Sequence, residues 1–468
     1  MNSIGSSTHL FQILGRPTAV DVPSINQQAR ETLIATLDRP ITELGRCTLL
    51  CAPRAGYGKS HILCHAQETL RRSHELIAIQ AIDGQHFDDE IILAQILSQA
   101  TNHLPGSSGI TPLDLLARRT LAMGMESLVR SGEIPCQNRD SALASITQRP
   151  IETFDFHHPS AVTAHWTQQH FDVLLPRLTM EIHQKTGLPL GEASFWIAAL
   201  FGFASAATNN SDRVSQLIEI VFRDRPQHLH VRLASLLHLM SQWQRIVIVV
   251  DELEGLSANP DAALRLANFL TTLRHGAERI DVVLSLNDDI WKNAFLPKLS
   301  GGLQDRLTEV SIRLTPMQQQ EALALLQSRY PQATMQDLNA LPLQGDLYAR
   351  GILRAAANHL PVRAAPPSNT LAIPPSAPTE PLLPPSFDRF TAVVETATPS
   401  SDSNSSWWAE TSQDFSATDI SPPIVEHSDP VSDFAPHSLR NEDSDPVAVL
   451  LQKIRIEQQA QRESPFMP

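Results

Sequence analysis

A glycine-rich turn, residues 53–60 (PRAGYGKS), carries the residues with the most specific potential chemistry. The pattern G-x-x-x-x-G-K-[ST] between a strand and a helix is typical of phosphate-binding loops, and the turn matches it except that Pro53 replaces the first glycine. In such loops, backbone N–H groups at a helix N-terminus hold the β-phosphate, a lysine reaches the β and γ oxygens, and a hydroxyl ligates Mg²⁺. We therefore predict a nucleotide site formed by Gly56, Tyr57, Gly58, Lys59, Ser60 and His61, with Ser60 also a metal ligand. The alternative is an incidental glycine-rich turn.

Two carboxylates follow an apolar run much later in the chain, in RIVIVVDE, residues 245–252. A buried strand that ends in acidic residues can deliver one carboxylate to Mg²⁺ and another to an attacking water. We assign the metal role to Asp251 and the role of general base to Glu252, with Glu254 as a lesser candidate for the base. Asp251 could instead serve only as a helix N-cap.

Four short, almost continuous apolar runs predict the strands that position these groups: residues 47–52, 76–81, 246–250 and 282–286. Such runs suit strands that are buried on both faces, as in a parallel sheet covered by helices. Helical patterns lie between them, for example in residues 89–104. The predicted fold class is therefore α/β, with the carboxyl ends of parallel strands forming the site.

One interval is too long for this scheme. The chain runs 192 residues from Lys59 to Asp251, whereas the units required there occupy about 60 to 70 residues at roughly 30 or more per βαβ unit. The excess, residues 105–230, has mostly helical patterns, and we expect it to form a subdomain or a lobe over the sheet. The predicted helices are 113–130, 162–186, 192–207 and 211–222.

The loop, the acidic strand and the next strand, VVLSLNDD, follow one another as in the AAA+ ATPases, which residues 10–360 resemble apart from the insertion. The origin-recognition and STAND-like branches and the ATPases of bacterial defence systems are the nearest general resemblance. The resemblance implies a P-loop ATPase α/β core over residues 1–104 and 231–314, a helical insertion over 105–230 and a small helical lid over 315–360. It also implies ATP and Mg²⁺ as bound groups.

The resemblance assigns further roles by position. Asn287 would lie between the acidic strand end and the γ-phosphate, and Arg306 would supply an arginine finger to a neighbouring subunit's nucleotide. Arg350, with Arg354 as second choice, would take the sensor-two position of the lid, and residues 13–16 (ILGR) resemble a linker that packs on adenine.

Each arginine assignment has a simpler alternative. Arg306 could form a surface ion pair beside Asp305, and Arg350 could be an ordinary solvated helix residue. Pro53 and the long insertion depart from the family pattern. They leave the subfamily and the substrate open.

The last 108 residues differ in composition from the rest. They hold 17 of the 34 prolines, and their 6 basic and 15 acidic residues give a net charge of −9 out of −14. We predict a disordered acidic tail over residues 361–468. Near its end, Asp445 and Pro446 form a helix start, and four apolar residues recur at helical spacing from Val447 to Ile454. This short amphipathic helix, residues 446–462, is predicted to bind a protein partner.

Composition also argues against several classes of protein. The acidic chain gains no general affinity for phosphate backbones, so nucleic-acid binding is disfavoured but not excluded. Four cysteines form no disulfide framework or paired C-x-x-C motif, which predicts a reducing, cytoplasmic environment. The most apolar window, residues 195–207, falls short of the roughly 20 residues of a membrane span. The histidines at 157, 158, 165 and 170 lack the spacing of a helical metal site.

The sequence thus predicts an AAA+-like ATPase that hydrolyses ATP to drive a conformational switch or motor step, as a homo-oligomer. The alternative is a nucleotide-gated adaptor with little turnover that recruits protein partners through its C-terminal tail. A third and weaker hypothesis is an initiator or loader that acts on DNA. The acidic net charge of the chain argues against DNA binding.

Overall fold

The computed structural model describes residues 21–81, 85–104, 109–207, 212–223, 228–343 and 345–360. These residues form two compact units, which divide after Pro316. The predictions for the linker at 13–16, the acidic tail and the helix at 446–462 lie outside the described residues.

A five-stranded sheet forms the centre of the first unit, with strand order β2-β3-β4-β1-β5 and parallel pairing throughout. Its strands are β1 (Cys47–Ala52), β2 (His74–Ile79), β3 (Arg245–Val250), β4 (Asp281–Asn287) and β5 (Val310–Arg313). The predicted α/β class is therefore confirmed, and four strands lie within two residues of their predicted bounds. The sequence missed β5, because only one of its four residues is buried and it presents no apolar run.

Register brings three strand ends together. Ala52 of β1 pairs with Asn287 of β4, and Val250 of β3 pairs with Leu284 of β4. All residues of β1, β3 and β4 are buried, which explains their almost continuous apolar sequences. The glycine-rich turn, Asp251 and the end of β4 consequently meet at the carboxyl edge of the sheet.

Helices that connect or flank these strands complete the first unit's α/β part. They are α1 (Gln27–Leu37), α2 (Lys59–Leu70), α3 (Asp89–Ala100), α10 (Leu229–Met240), α11 (Pro260–Gly276), α12 (Asp288–Ile290) and α13 (Gly301–Leu307). A 3₁₀ segment, Leu253–Ala258, follows β3, and a π-helical turn, Trp291–Phe295, follows α12.

The long interval between β2 and β3 is helical; the sequence predicted four of the six helices within residues 105–228 and missed the two that lie within residues 139–153. It contains α4 (Pro112–Ser131), α5 (Arg139–Gln148), α6 (Pro150–Thr153), α7 (Val162–Thr186), α8 (Leu190–Ser205) and α9 (Asp212–Phe222). A capping box between Thr111 and Asp114, with Pro112 at the first position, begins α4. Asp114 also pairs with Arg213 of α9 at 3.2 Å, and both side chains are buried.

The hydrophobic core of this helical insertion is continuous with that of the sheet. One cluster of buried residues includes Leu49 and Ile248 of the sheet together with Leu121 and Trp196 of the insertion. The insertion and the sheet belong to the same compact unit. Whether residues 105–230 act as a separate lobe remains a prediction.

The second unit contains three helices, α14 (Gln319–Arg329), α15 (Met335–Ala340) and α16 (Ala349–His359). Capping boxes begin α14 and α15. Buried aliphatic residues, including Leu326, Leu338 and Ile352, form its interior. The described residues of this unit, 317–343 and 345–360, fall within the segment predicted as a helical lid, 315–360, and the role as a lid remains a prediction.

No single helix among the described residues has both the length and the apolar character needed to cross a bilayer. Among the described residues, α7 and α8 are long and apolar enough for a span only when they are counted together as one pair, and this pair is bent by 118°.

A buried ion pair joins the amino ends of β3 and β4. The Arg245 guanidinium donates to Asp281, and both side chains are almost completely buried. Arg39 Nη2 donates to Asp281 Oδ1 at 2.6 Å, and the backbone N–H of Arg46 donates to the same oxygen at 2.7 Å. Arg245 also donates to the carbonyl of Pro40 at 2.6 Å. This network ties the segment before β1 to the sheet.

Replacing Asp281 with Ala would leave the Arg245 guanidinium buried without this charge partner. We expect the free energy of unfolding to fall by about 3–5 kcal/mol, measured by urea denaturation followed by circular dichroism. Asp172→Ala serves as the control, because Asp172 is exposed on α7 and its loss should change stability by less than about 0.5 kcal/mol. Equal stability of the two variants would contradict this role for the ion pair.

Candidate functional site

The glycine-rich turn has the backbone conformation that its sequence predicts. Gly56 and Gly58 have φ angles of 95° and 104°, in the left-handed region that favours glycine. Helix α2 begins at Lys59, directly after Gly58. The first backbone N–H groups of a helix have no intrahelical acceptor, so the turn and the start of α2 can together present donors to an anion.

A side chain from the preceding helix start holds this turn. Asn26, the residue before α1, donates from Nδ2 to the carbonyl oxygen of Tyr57 at 3.0 Å. The Tyr57 side chain is buried. The buried ring of Tyr57 therefore anchors the turn. The backbone of this predicted nucleotide-binding residue remains part of the turn.

Lys59 contacts the end of a neighbouring strand. Its Nζ donates to Oδ1 of Asn287 at 2.6 Å, and both side chains are largely buried. Residues 228 positions apart are thus in direct contact. Two predicted site residues, one in the turn and one at the end of β4, therefore lie together.

Ser60 contacts the acidic end of β3. The Ser60 hydroxyl donates to Oδ2 of Asp251 at 2.7 Å, and the Ser285 hydroxyl donates to Oδ1 of the same carboxylate at 2.7 Å. Asp251 is only 8% exposed, so the two hydroxyls compensate part of the cost of burying its carboxylate. The two predicted metal ligands, Ser60 and Asp251, are therefore neighbours.

Glu252 has a strained backbone. Its φ of 60° places a non-glycine residue in the left-handed region, which costs on the order of 1 to 3 kcal/mol. Its side chain is exposed, and Oε2 accepts a hydrogen bond of 3.4 Å from Nε2 of Gln80, the residue after β2. Glu254, the lesser candidate for a base, is also exposed and lies in the 3₁₀ segment.

His61 belongs to a polar cluster beside the turn. Its Nε2 lies 2.8 Å from Oδ1 of Asp21, and Arg30 Nη1 lies 3.1 Å from Oδ2. Burial raises the pKa of Asp21, but the hydrogen bond from His61 and the charge of Arg30 outweigh it, so this pKa lies below its usual value. This cluster attaches the segment before α1 to the first turn of α2.

The two predicted arginines lie in different units. Arg306 is exposed on α13, where its Nη1 is 3.4 Å from Nε2 of His275, and among the described residues it forms no ion pair. The predicted alternative, a pair with Asp305, is therefore not formed. Arg350 is exposed near the start of α16 in the second unit. Its assignment as a sensor remains a prediction.

Sequence reasoning missed four polar residues that hold the site: Asn26, Gln80, Ser285 and Asp288. Ser285 was detectable, because it is one polar residue within an apolar strand. Asp288 belongs to the motif VVLSLNDD, but the sequence assigned it no role. In the structure it accepts hydrogen bonds from Cys51 Sγ at 2.9 Å and from Arg313 Nη1 at 3.0 Å. Asn26 and Gln80 had no sequence signal, because their partners are set by the fold.

The described residues contain no group of three or more His, Cys, Asp or Glu side chains that could hold a metal ion by themselves. In the histidine-rich segment, Nε2 of His165 instead lies 3.1 Å from the carbonyl oxygen of His158. The donor set at the sheet edge consists of oxygen atoms, from Asp251 and Ser60. Hard oxygen ligands in small number are typical of Mg²⁺ that completes its shell with water and phosphate.

The chain matches no protein-family model, and no curated protein matches it.

Burial raises the pKa of both Cys47 and Cys51 to about 12, and Asp288 adds to the effect at Cys51. We expect neither to react with iodoacetamide at pH 8 in the native protein, because the reactive thiolate is about one part in ten thousand there. The half-buried Cys136 should be labelled first. Peptide mass spectrometry over time measures this order, and Cys51 labelling as fast as Cys136 would contradict the closed environment at the end of β1.

Proposed function

We propose that this protein binds ATP with Mg²⁺ and hydrolyses it at the carboxyl edge of the sheet. One observation carries the proposal: the Ser60 hydroxyl and the Asp251 carboxylate are 2.7 Å apart although the residues are 191 positions apart in the sequence. Ser60 follows the turn after β1, whereas Asp251 follows β3, and β4 lies between these two strands in the sheet. Their meeting is what a shared magnesium ligand set requires.

The turn and α2 would bind the phosphates. Unsatisfied N–H groups at the start of α2 attract negative charge, and the helix dipole adds to this effect. Pro53 contributes no N–H group, so the donors come from the later residues of the turn. Lys59, close to Asn287 at the end of β4, would supply the positive charge for the β and γ oxygens.

Ser60 and Asp251 fit a magnesium ion, which when bound neutralises phosphate charge during hydrolysis. Asp251 offers a buried carboxylate, and its second oxygen is held by Ser285. This hydrogen bond fixes the carboxylate orientation, as partners behind a metal ligand commonly do. Ser285 would therefore act as a positioning residue.

Glu252 is the candidate general base. Its carboxylate is exposed at the sheet edge beside Asp251, where it could accept a proton from the attacking water. Its strained backbone supports a functional role, because such strain persists where the surrounding structure imposes it, commonly at active sites. Asn287 would orient the γ-phosphate from the other side.

We further propose that the working form is a homo-oligomer in which Arg306 acts on a neighbouring subunit's nucleotide. Arg306 is exposed and has no ion pair among the described residues. An exposed guanidinium on α13 is therefore available to a second subunit. An arginine supplied from a partner stabilises charge in the transition state of phosphoryl transfer.

Glu252→Gln keeps the shape of the side chain and removes its basicity. We expect ATP turnover to fall by about 10²- to 10⁴-fold with ATP affinity retained. Lys59→Ala should weaken ATP binding by about tenfold or more, because a charge-assisted contact is lost. Turnover is followed by phosphate release, and affinity by a fluorescent ATP analogue.

Glu254→Gln is the matched control, since it makes the same change two residues further on, at the other candidate base. Its turnover should equal that of the unmodified protein. If Glu254→Gln and not Glu252→Gln abolishes turnover, the base assignment is wrong. If the unmodified protein binds ATP without measurable turnover, the adaptor function replaces hydrolysis. If it does not bind Mg-ATP at all, the proposed function is wrong.

The oligomer proposal predicts that turnover per subunit rises with protein concentration across the range of self-association. Arg306→Ala should remove this rise without weakening ATP binding, because the side chain would act only on a neighbour's nucleotide. Arg223→Ala is the control for loss of an exposed arginine elsewhere. A rate per subunit that stays constant with concentration would contradict action between subunits.

A further inference from the structure

Asn26, the residue before α1, uses its side chain outside its own helix. An asparagine at this position commonly accepts a hydrogen bond from a backbone N–H of the first helical turn. The Asn26 side chain forms no such cap. Its Nδ2 instead donates to the carbonyl oxygen of Tyr57 at 3.0 Å, 31 positions further along the chain. The side chain therefore supports the glycine-rich turn and not the start of α1.

The backbone of Asn26 is also unusual. It lies in the left-handed region, with φ of 52° and ψ of 31°, which asparagine tolerates better than most residues but at some cost. Among the described residues, the non-glycine residues with positive φ are Asn26 and Glu252. Both belong to the candidate site. Such conformations persist where the surrounding structure imposes them, commonly at functional sites.

Contacts on both sides of Asn26 in the chain fix its position relative to α2. Arg30, one helical turn later, pairs with Asp21 at 3.1 Å. Asp21 in turn lies 2.8 Å from Nε2 of His61, in the first turn of α2. Helix α1 also packs against α2. The Asn26 amide is therefore held in place where the turn enters α2.

The hydrogen bond from Asn26 fixes the orientation of the peptide group between Tyr57 and Gly58. This peptide is trans, and a planar trans peptide directs its C=O and its N–H to opposite sides. With the Tyr57 carbonyl turned toward Asn26, the Gly58 N–H must point to the other side of the turn. Among the described residues, no backbone carbonyl accepts a hydrogen bond from this N–H. It is therefore a donor that an anion can use.

Glycine at position 58 makes this fixation necessary. Gly58 has a φ of 104°, and glycine occupies positive and negative φ about equally readily, so the preceding peptide can rotate at low steric cost. Rotation would turn the Tyr57 carbonyl oxygen to the side where the Gly58 N–H now points. A carbonyl oxygen there would repel a phosphate, whereas an N–H donates a strong hydrogen bond to a charged acceptor.

We propose that Asn26 is a positioning residue for the phosphate site, which keeps the Gly58 N–H directed at a phosphate oxygen of the bound nucleotide. The inference rests on the proposed function, because it assigns a role within the same site. Asn26 acts through the Tyr57–Gly58 peptide and does not itself contact the nucleotide.

Isotope labelling can observe this single peptide in the full-length protein. The chain has three tyrosines, and only Tyr57 is followed by glycine. Protein labelled with ¹³C at the tyrosine carbonyls and ¹⁵N at glycine therefore gives one NMR signal that depends on a ¹³C–¹⁵N pair, from the Gly58 amide. We expect saturating Mg-ATP to move the Gly58 amide proton downfield, because the N–H donates to phosphate.

Asn26→Gly removes the donor and keeps a residue that adopts positive φ at low cost. We expect this variant to bind Mg-ATP at least about tenfold more weakly, measured by isothermal titration calorimetry, because a charge-assisted hydrogen bond is lost. At saturation its Gly58 amide proton should no longer move downfield. A destabilised α1 by itself would not remove this spectroscopic change.

Gln28→Gly is the matched control, because it removes an exposed amide side chain from the first turn of the same helix. It should bind Mg-ATP and shift the Gly58 signal like the unmodified protein. Circular dichroism and thermal unfolding verify that the variants are folded. If Asn26→Gly is not, Asn26→Asp, which keeps the size of the side chain and removes the donor, replaces it and should show the same losses.

Two results would overturn the role of Asn26 and leave the proposed function intact. One is an Asn26 variant that binds Mg-ATP as tightly as the unmodified protein and shows the same Gly58 shift. The other is an equal loss of affinity in the Asn26 and Gln28 variants. Absence of Mg-ATP binding by the unmodified protein would instead overturn the proposed function, and this inference with it.

Discussion

The Asp251 carboxylate lies at the point where three parts of the chain meet. It accepts hydrogen bonds from Ser60 at the start of α2 and from Ser285 within β4, while its own backbone continues β3. A carboxylate buried to this degree is tolerated only when hydrogen bonds compensate its lost hydration. The sheet edge is therefore held by a polar contact, which is formed by the same oxygen atoms that we propose as magnesium ligands.

Residues with left-handed backbone conformations occur at the same edge. Two glycines of the turn and Glu252 have positive φ, and Glu252 has no glycine-like freedom to adopt this angle cheaply. The turn is held from outside by Asn26 and by the buried Tyr57 ring. Packing on a rigid parallel sheet can impose such conformations, which isolated loops would not keep.

The opposite edge of the sheet has a different character. There Arg245 and Asp281 form a buried ion pair with good hydrogen bonds. Removing either partner of such a pair would leave an uncompensated buried charge, so the pair favours a single arrangement of the strand ends.

The sequence by itself determined the strands β1 to β4, four of the six insertion helices and the turn, because continuous apolar runs and helical periodicity are local signals of burial. It also identified Lys59, Ser60, Asp251 and Asn287, since their motifs are contiguous. Only the tertiary structure decided that Asn26 holds the turn and that Gln80 contacts Glu252. The edge strand β5 was likewise invisible, because a half-exposed strand is specified by its neighbour β1 rather than by its own residues. Contacts between residues distant in sequence depend on sheet order and register, and no local pattern encodes these.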